Sequence, residues 1–396
     1  MNHSKDPYAE LGVRHVVNAA GVLTRIGGSR SPPEVFKAME TASKNFVTIA
    51  ELQTKAGAYI AEVTGSEAGL PTAGGSTSIL LAAAACIMRG TELEQYEPKG
   101  PAVWRHLAQK LPLHTEELRT EFIVQKCNRD EYDHAVECAG GRFVTVGDEE
   151  KTTEDQLKEA YNPKKTAAYY YTLKGSKGLP LEKIVEIAHE NSVPIIVDAC
   201  AEPPPKENLR KYTAMGVDLV CFSGGKNIAG PNNSGLLAGK KNLINLAHLQ
   251  SYPFEGVGRP AKMSRETIIG LITALKLYLE RDDSKLFDQW VMKAEHMKEA
   301  LNKAPGIQVA VEYVYTGSDP NPRFPLCAVK VDKTLYGMTT QELHLALLDC
   351  DPSIVTIYEP YFLLENYKGL FSVNLQFLTQ EEEQLIIEKI HELRSL

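Results

Sequence analysis

The sequence predicts an α/β protein with a large, mostly parallel sheet covered by helices, followed by a smaller α+β domain. Between residues 120 and 240, short apolar runs typical of strands alternate with amphipathic runs typical of helices. Parallel strands need crossover connections, so this alternation indicates a sheet with helices on both faces. After residue 306 strands and helices are mixed without strict alternation, as expected of a small α+β domain.

Length and composition restrict the class of protein further. The 396 residues, 43% of them hydrophobic, suffice for two or three structural units. A net charge of −8 repels phosphate backbones, which argues against nucleic-acid binding. The longest apolar stretch, residues 79–88, is about half of a membrane span. The polar residues 1–10 do not resemble a signal peptide, so we expect a soluble cytoplasmic protein without membrane contact.

The seven cysteines are scattered, and none forms a CxxC pair. An odd number without regular spacing indicates reduced thiols, not disulfides or a zinc site. We therefore predict no metal in this protein.

The N-terminal region, residues 1–45, is predicted to pack on the small domain. It contains an apolar run at 16–21 and a glycine-, serine- and proline-rich loop that ends at Pro33. Because proline suits the first turn of a helix, a helix is expected from there to about residue 43. Apolar residues at helical spacing predict a second helix over 51–64, which ends at a glycine.

A turn rich in glycine and hydroxyl groups, residues 74–78, leads into the apolar helix predicted at 79–88. Backbone amides, hydroxyls and the helix dipole at such a turn bind phosphate without a cation. The same residues also suit an ordinary helix cap.

The alternating region supplies the central sheet. Strands are expected at 121–125, 142–146, 166–172, 193–198, 219–223 and 234–238, and helices at 131–139, 153–161 and 181–191. Ligands of such sheets lie beyond the carboxyl ends of the strands, which makes Asp198 a candidate site residue. A long helix is expected from about 264 to 303, with a domain boundary near residue 270.

Lys226 follows a predicted strand directly, on a glycine turn. Burial there would lower its pKa and make it a better imine-forming nucleophile, although most single lysines are surface charges. Asp198 could keep a pyridine nitrogen protonated, so that the ring accepts electrons released at a substrate Cα. Alone, it could equally be a helix cap or a buried structural aspartate. The order and spacing of the turn, the aspartate and the lysine predict a site for pyridoxal 5′-phosphate.

Two other phosphate-binding motifs do not fit. The segment around Lys226 lacks both the earlier glycine and the following Ser/Thr of a Walker loop. Residues 256–260 lack the third glycine of a dinucleotide-binding turn and do not open a βαβ unit.

Residues 218–226, with the glycines and proline that follow, resemble the cofactor-lysine region of the bacterial selenocysteine synthase family. The similarity extends over most of the chain and includes residues 17–21, 28–34, 51–57, 65–68, 197–199 and 258–260. It is greatest to shorter members of the D-glucosaminate-6-phosphate ammonia-lyase type. The Ser-Gly-Gly-Lys element is the most specific part.

The resemblance implies the aminotransferase-like fold type I of pyridoxal phosphate enzymes. By position, Lys226 would form the imine with the cofactor, and Asp198 would pair with the pyridine nitrogen. Phosphate contacts are expected from Gly75, Ser76, Thr77 and Ser223. The resemblance also implies a homodimer or a higher homo-oligomer, in which two subunits complete each other's sites.

One position departs from the family pattern. Relatives often carry a histidine in a His-Arg-Asn-like segment, where it can stack on the pyridine ring, and here Asn128 stands at that place. Asparagine offers no aromatic face and does not titrate near neutrality. Either the correspondence slips by a few residues or the reaction differs, so Asn128 is kept as a candidate cofactor contact.

These expectations lead to a lyase that removes the Cα proton and then eliminates at Cβ, releasing ammonia from a small or sugar-derived amino acid. Aminotransferase, racemase, selenium or sulfur transferase activity, or a cofactor-free binding protein, remain alternatives. Transfer on a tRNA is not expected, because family members with that task carry an added N-terminal region and this sequence starts almost directly at the core segment. The substrate is expected to be an amino acid or a phosphorylated amino-sugar acid, and arginine is the side chain that best binds its carboxylate. Arg25, Arg30 and Arg259 lie in glycine-rich loops and are the candidates for this role.

The cofactor-binding domain is expected at 46–270 and the small domain at 271–396.

Overall fold

The computed structural model describes residues 6–174, 177–316 and 319–394. The first residues of the predicted 1–45 segment and the last two of the predicted small domain lie outside this range. The described chain divides into two compact units. The larger is Ser29–Arg281, and the smaller joins the residues up to Gly28 with those from Asp282 onward. These limits differ from the boundaries expected after residues 45 and 270, and the roles assigned to those segments stay predictions.

The strands and helices are numbered here in chain order. The strands are β1 (Val16–Asn18), β2 (Ala68–Thr72), β3 (Glu121–Gln125), β4 (Arg142–Val146), β5 (Thr166–Thr172), β6 (Ile195–Asp198), β7 (Leu219–Ser223), β8 (Gly235–Gly239), β9 (Ile307–Val314), β10 (Phe324–Val331), β11 (Ser353–Val355), β12 (Ile357–Tyr358) and β13 (Phe371–Asn374). The helices are α1 (Pro7–Glu10), α2 (Pro33–Ser43), α3 (Ile49–Thr64), α4 (Gly75–Met88), α5 (Arg105–Ala108), α6 (His134–Cys138), α7 (Glu154–Glu159), α8 (Leu181–Glu190), α9 (Asn208–Ala214), α10 (Lys241–Gln250), α11 (Arg265–Glu280), α12 (Asp283–Leu301), α13 (Lys333–Tyr336), α14 (Thr340–Asp349) and α15 (Gln380–Leu393).

A seven-stranded sheet in the order β2-β8-β7-β6-β5-β3-β4 forms the centre of the larger unit. Its strands are parallel except β8, which runs antiparallel to both of its neighbours. The predicted mostly parallel sheet is therefore confirmed. Every residue of β5, β6 and β7 is buried, because helices cover both faces of the sheet.

Two apolar cores lie on opposite faces of this sheet. One contains residues of α4 and α10, and the other contains residues of α3, α8, α9 and α11. The tyrosines of β5 alternate between them: Tyr170 belongs to the first core, and Tyr169 and Tyr171 belong to the second. This tyrosine run is core and does not line a site.

The single long helix predicted over 264–303 is wrong. The structure has two helices, α11 and α12, separated at Arg281 and Asp282. The side chain of Asp282 accepts a hydrogen bond from the backbone N–H of Lys285 at 3.0 Å and so caps α12. Apolar spacing continues across the break, which hid it in the sequence. The break coincides with the limit between the two units.

The smaller unit contains an antiparallel sheet of order β12-β13-β10-β9, and β1 pairs in parallel with β11. Its core joins Val17 from the N-terminal segment to residues of α12, β10, α14 and α15. This is the expected α+β arrangement. In residues 6–174, 177–316 and 319–394, the helices are too short or too polar to span a bilayer.

Candidate active site

The turn between β2 and α4 lies at one edge of the site. Gly74 adopts φ +111°, in the region that favours glycine, and α4 starts after it without a side-chain cap. The first N–H groups of a helix have no partner within the helix, so those of α4 are available as donors. Ser76 in this turn is exposed, whereas the Thr77 hydroxyl donates to Ala73 O at 3.3 Å.

The ends of β6 and β7 approach this helix start closely. A Cβ atom built on Gly75 would lie 2.5 Å from Cys200 Sγ and 3.7 Å from Ser223 Cβ. Only glycine fits at this position without displacing the thiol. The structure therefore brings Gly75 and Ser223 together, as the expected phosphate site requires. Uncapped amides beside a serine hydroxyl form a donor set that suits a phosphate.

Asp198 ends β6 and is only 6% exposed. Its Oδ1 accepts a hydrogen bond from Cys200 N at 2.9 Å. Burial raises the pKa of this carboxyl group, and the hydrogen bond from Cys200 and the charge of Lys226 lower it in part. The contacts of this carboxylate compensate only part of the cost of removing it from water. A cationic hydrogen-bond donor would stabilise it, and a protonated pyridine nitrogen is such a donor.

Lys226 lies just past β7 on a tightly packed glycine turn. Gly224 N donates to Ser234 O at 2.9 Å, and Gly225 O accepts from both N and Oγ of Ser29, at 3.2 and 3.0 Å. The Lys226 side chain is partly buried, and it has no hydrogen bond or ion pair with any residue in the described part of the chain. Its charge acts on Asp198 and Cys200. The Lys226 amine therefore interacts electrostatically with the Asp198 carboxyl group, without a hydrogen bond to a described residue.

Asn128 follows β3 and is 1% exposed. Its Oδ1 accepts from Gln125 Nε2 at 2.8 Å, and its Nδ2 donates to Thr172 O at 3.2 Å. Both ends of the amide are therefore used, one on β3 and the other on β5. Its expected contact with the cofactor stays a prediction.

The three candidate arginines lie in different places. Arg30 is exposed and follows Ser29, which bonds to the residue before Lys226. Arg259 is exposed and lies 5.1 Å from the ring centre of Tyr252. Arg25 belongs to the smaller unit, where the pKa of His344 is lowered by burial and also by the charge of this arginine.

Two further cations, Lys262 and Arg265, follow Arg259 in the sequence. Lys262 also lies near Tyr252, 5.8 Å from the ring centre. Arg265 donates to the carbonyl groups of Ala42 and Ser43 at 3.1 and 2.8 Å, so it holds the end of α2 and is committed to structure.

Cys200 and Ser29 lie among the site residues, although sequence reasoning did not single them out. Cys200 contacts both Asp198 and the Gly75 position, and Ser29 fixes the turn before Lys226. Cys200 could have been found in the sequence, because it stands two residues after an aspartate that ends a strand. No local pattern indicates Ser29, because its partner is distant in the sequence.

Within the described ranges, no group of three or more His, Cys, Asp or Glu side chains could hold a metal ion.

An aspartate at the end of β6, a lysine shortly after the adjacent parallel strand β7 and an uncapped glycine helix start are the features expected of a pyridoxal phosphate enzyme of fold type I. Residues 133–366 match the family described as SelA, L-seryl-tRNA selenium transferase. The chain belongs to this family, and the resemblance seen in the sequence is confirmed.

Individual relatives span nearly the whole chain. The D-glucosaminate-6-phosphate ammonia lyase of Salmonella typhimurium is 29% identical over 394 residues, covering 98% of this chain and 97% of that protein. A 5'-C-glycyluridine monooxygenase-decarboxylase of a Streptomyces species is also 29% identical, over 98% of this chain and 91% of its own. A solved D-glucosaminate-6-phosphate ammonia-lyase superposes with a TM-score of 0.81 at 28% identity, covering 99% of both chains. Alanine–glyoxylate aminotransferase from Nostoc, 14% identical with a TM-score of 0.55, shares the fold.

Proposed function

We propose that this protein is a pyridoxal phosphate-dependent lyase that releases ammonia from a small or sugar-derived amino acid. One observation carries the proposal: the buried Asp198 ends one strand, Lys226 follows the adjacent parallel strand, and the charge of the Lys226 amine acts on that carboxyl group. The near-complete overlap with an ammonia lyase supports the same reaction class.

When bound, pyridoxal phosphate supplies an aldehyde that condenses with amines and a ring that accepts the electrons released at Cα. The first N–H groups of α4, at Gly75, Ser76 and Thr77, would bind its phosphate together with Ser223. Asp198 would hold a proton on the ring nitrogen, since burial strengthens that charge-assisted hydrogen bond.

Lys226 would have two tasks in this site. Its Nζ would bind the cofactor in the resting enzyme. Once a substrate amine has displaced it, the same Nζ would take the proton from Cα and return it later in the reaction. A lysine on a mobile four-carbon stem, fixed at its backbone by Ser29 and Gly225, suits both tasks.

The substrate carries a carboxylate, which a guanidinium group binds best. Arg30 is our first choice because Ser29 links its segment to the turn that precedes Lys226. Arg259, with Lys262 near the same tyrosine, suits a second anionic group such as a sugar phosphate. Arg25 is kept as a further candidate for the substrate, and Asn128 as a candidate contact of the cofactor. The working form is proposed to be a cytoplasmic homodimer.

A decarboxylating activity is the second candidate, because the Streptomyces relative matches this chain at the same identity as the ammonia lyase. Sequence similarity therefore does not decide between the two reactions. The same lysine and aspartate also serve transamination, racemisation and selenium or sulfur transfer.

Spectroscopy and product analysis test the proposal together. Purified protein with pyridoxal phosphate should absorb at about 410–430 nm, the range of a lysine-bound cofactor of this type. Lys226→Ala should lose the band, and Lys206→Ala, a lysine bonded to the carbonyl of Leu279, serves as the control. Ammonia and a keto acid formed without an acceptor support the lyase. Absence of the band would overturn the cofactor assignment, and carbon dioxide release or dependence on a keto-acid acceptor would overturn the reaction.

A further inference from the structure

We infer that Tyr132 covers the open face of the cofactor ring, the contact for which Asn128 was the candidate in the sequence. The inference rests on the proposed function, because it needs a bound heterocycle. It adds a positioning residue that sequence comparison did not suggest.

Asn128 is poorly placed for that role. It is almost completely buried, and both polar ends of its amide are bonded, to Gln125 and to the carbonyl of Thr172. To turn toward a ligand it would have to break both bonds and leave buried groups unpaired. Asn128 therefore anchors the loop that follows β3.

The rest of this loop, residues 126–133, is held rigidly. Lys174 Nζ donates to Arg129 O, and Arg129 pairs with Asp133. Asp130 Oδ1 accepts from Tyr132 N at 2.7 Å, and Asp133 Oδ2 accepts from Asp130 N at 3.1 Å. These bonds fix the backbone on both sides of Tyr132. Little conformational entropy would therefore be lost when its ring contacts a bound ligand.

The anchors of the loop place it beside Asp198. Thr172, which binds Asn128, pairs in register with Asp198 across β5 and β6. The next residue, Leu173, donates its N–H to Asp198 O at 3.1 Å, and Lys174 follows it. The loop is thus tied at two points to the strand end that borders the aspartate.

The charge of Asp198 acts on the phenol of Tyr132. Burial raises the pKa of this phenol, and so do the charges of Asp130, Glu131 and Asp198. This agrees with the anchoring of the loop at Thr172, which pairs in register with Asp198.

Tyr132 is nevertheless 49% exposed, unlike the tyrosines of β5, which are buried in the cores. A rigidly mounted aromatic ring with half its surface uncovered has favourable stacking energy to gain from a flat ligand. A pyridine ring between Asp198 and Tyr132 would supply that surface.

The test compares cofactor binding in variants. Tyr132→Ala should weaken the apparent affinity for pyridoxal phosphate about tenfold, because a stacking contact is lost. It should also reduce the visible circular dichroism of the bound cofactor, because the surroundings of the cofactor ring become less asymmetric. Tyr132→Phe should bind like wild type, since it retains the ring. His134→Ala is the matched control, because that ring is exposed and, among the described residues, bonds to Glu137 of the same segment.

Asn128→Ala separates the two candidate residues. It should lower thermal stability, whereas its folded fraction should keep the wild-type dichroism. The inference is overturned if Tyr132→Ala retains wild-type affinity and dichroism, or if Asn128→Ala alone alters the dichroism. The proposed function still stands in both cases, provided that wild type shows the cofactor band. If wild type binds no cofactor, both ideas fail.

Discussion

The carboxyl group of Asp198 is buried, so its negative charge needs a positively charged partner to be stable. We predict that Asp198→Asn retains bound cofactor but loses at least about a hundredfold in ammonia release, because an amide cannot hold the ring nitrogen protonated. The visible spectrum and the rate of product formation are the measurements. Asp218→Asn is the control: that carboxylate lies at the start of β7 and accepts from Ile195 N and pairs with His189, so its loss should cost stability and leave the spectrum unchanged.

Arg30 and Arg259 can be separated by kinetics. If Arg30 binds the substrate carboxylate, Arg30→Gln should raise KM about ten- to a hundredfold, since a hydrogen bond to a charged group contributes about 1.5–3 kcal/mol. Arg259→Gln should raise KM for a phosphorylated substrate only. An unchanged KM in Arg30→Gln would reject that assignment.

Among single residues, those at or after the ends of strands could be predicted from the sequence. Those whose bonding partners are far away in the chain could not. Lys226 and Asp198 were predictable because each follows a recognisable apolar strand. The contact of Ser29 with Gly225 joins positions far apart in the chain, which no local pattern encodes. The amide bonds of Asn128 depend on strand order, so its burial could not be foreseen.

The start of α4 depends on the absence of a side chain at Gly75. We predict that Gly75→Ala weakens cofactor binding at least about tenfold, because its methyl group would lie 2.5 Å from Cys200 Sγ and displace the first turn. Cys200→Ala should restore part of the affinity in the double variant, since it removes the sulfur. Titration with pyridoxal phosphate measures both effects. No recovery in the double variant would show that the clash with the thiol is not the cause.

Among the elements, β3, β4, β5 and β7 coincide with their predicted bounds. Strands buried on both faces, such as β5 and β7, appear as continuous apolar runs between polar helices, which makes their ends visible. The break between α11 and α12 was missed because an aspartate cap interrupts a helix without interrupting its apolar spacing. The edge strand β2 contains a proline and two small residues, so it was not recognised as a strand.

The stability of the whole molecule should depend on His248. Burial lowers the pKa of this histidine to about 4, and Nε2 lies 3.1 Å from Gln53 Oε1. With the unfolded pKa near 6.5, the unfolded state binds the extra proton first, so stability is complete above about pH 6.5 and falls as the pH drops toward 4. Between pH 7.5 and 5, wild type should lose about 2 kcal/mol more than His248→Gln in urea unfolding. Equal losses in the two proteins would contradict this.

The overall architecture was predictable from the alternation of strands and helices, which restricts the possible topologies to few. The limits of the two units, after Gly28 and after Arg281, were not predicted, because pairings such as that of Val17 with Ile354 join positions far apart in the chain. The packing of residues 1–45 on the small domain stays a prediction.

The parallel pairing of β1 with β11 has a consequence for synthesis on the ribosome. At translation rates of roughly 5 to 20 residues per second, β1 emerges roughly 15 to 70 seconds before its partner is made. Meanwhile Ser29–Arg281 has been completed and can collapse on its own core. Throughout that interval the nascent chain carries an apolar strand without its partner, and we expect chaperones that bind exposed strands to recognise it.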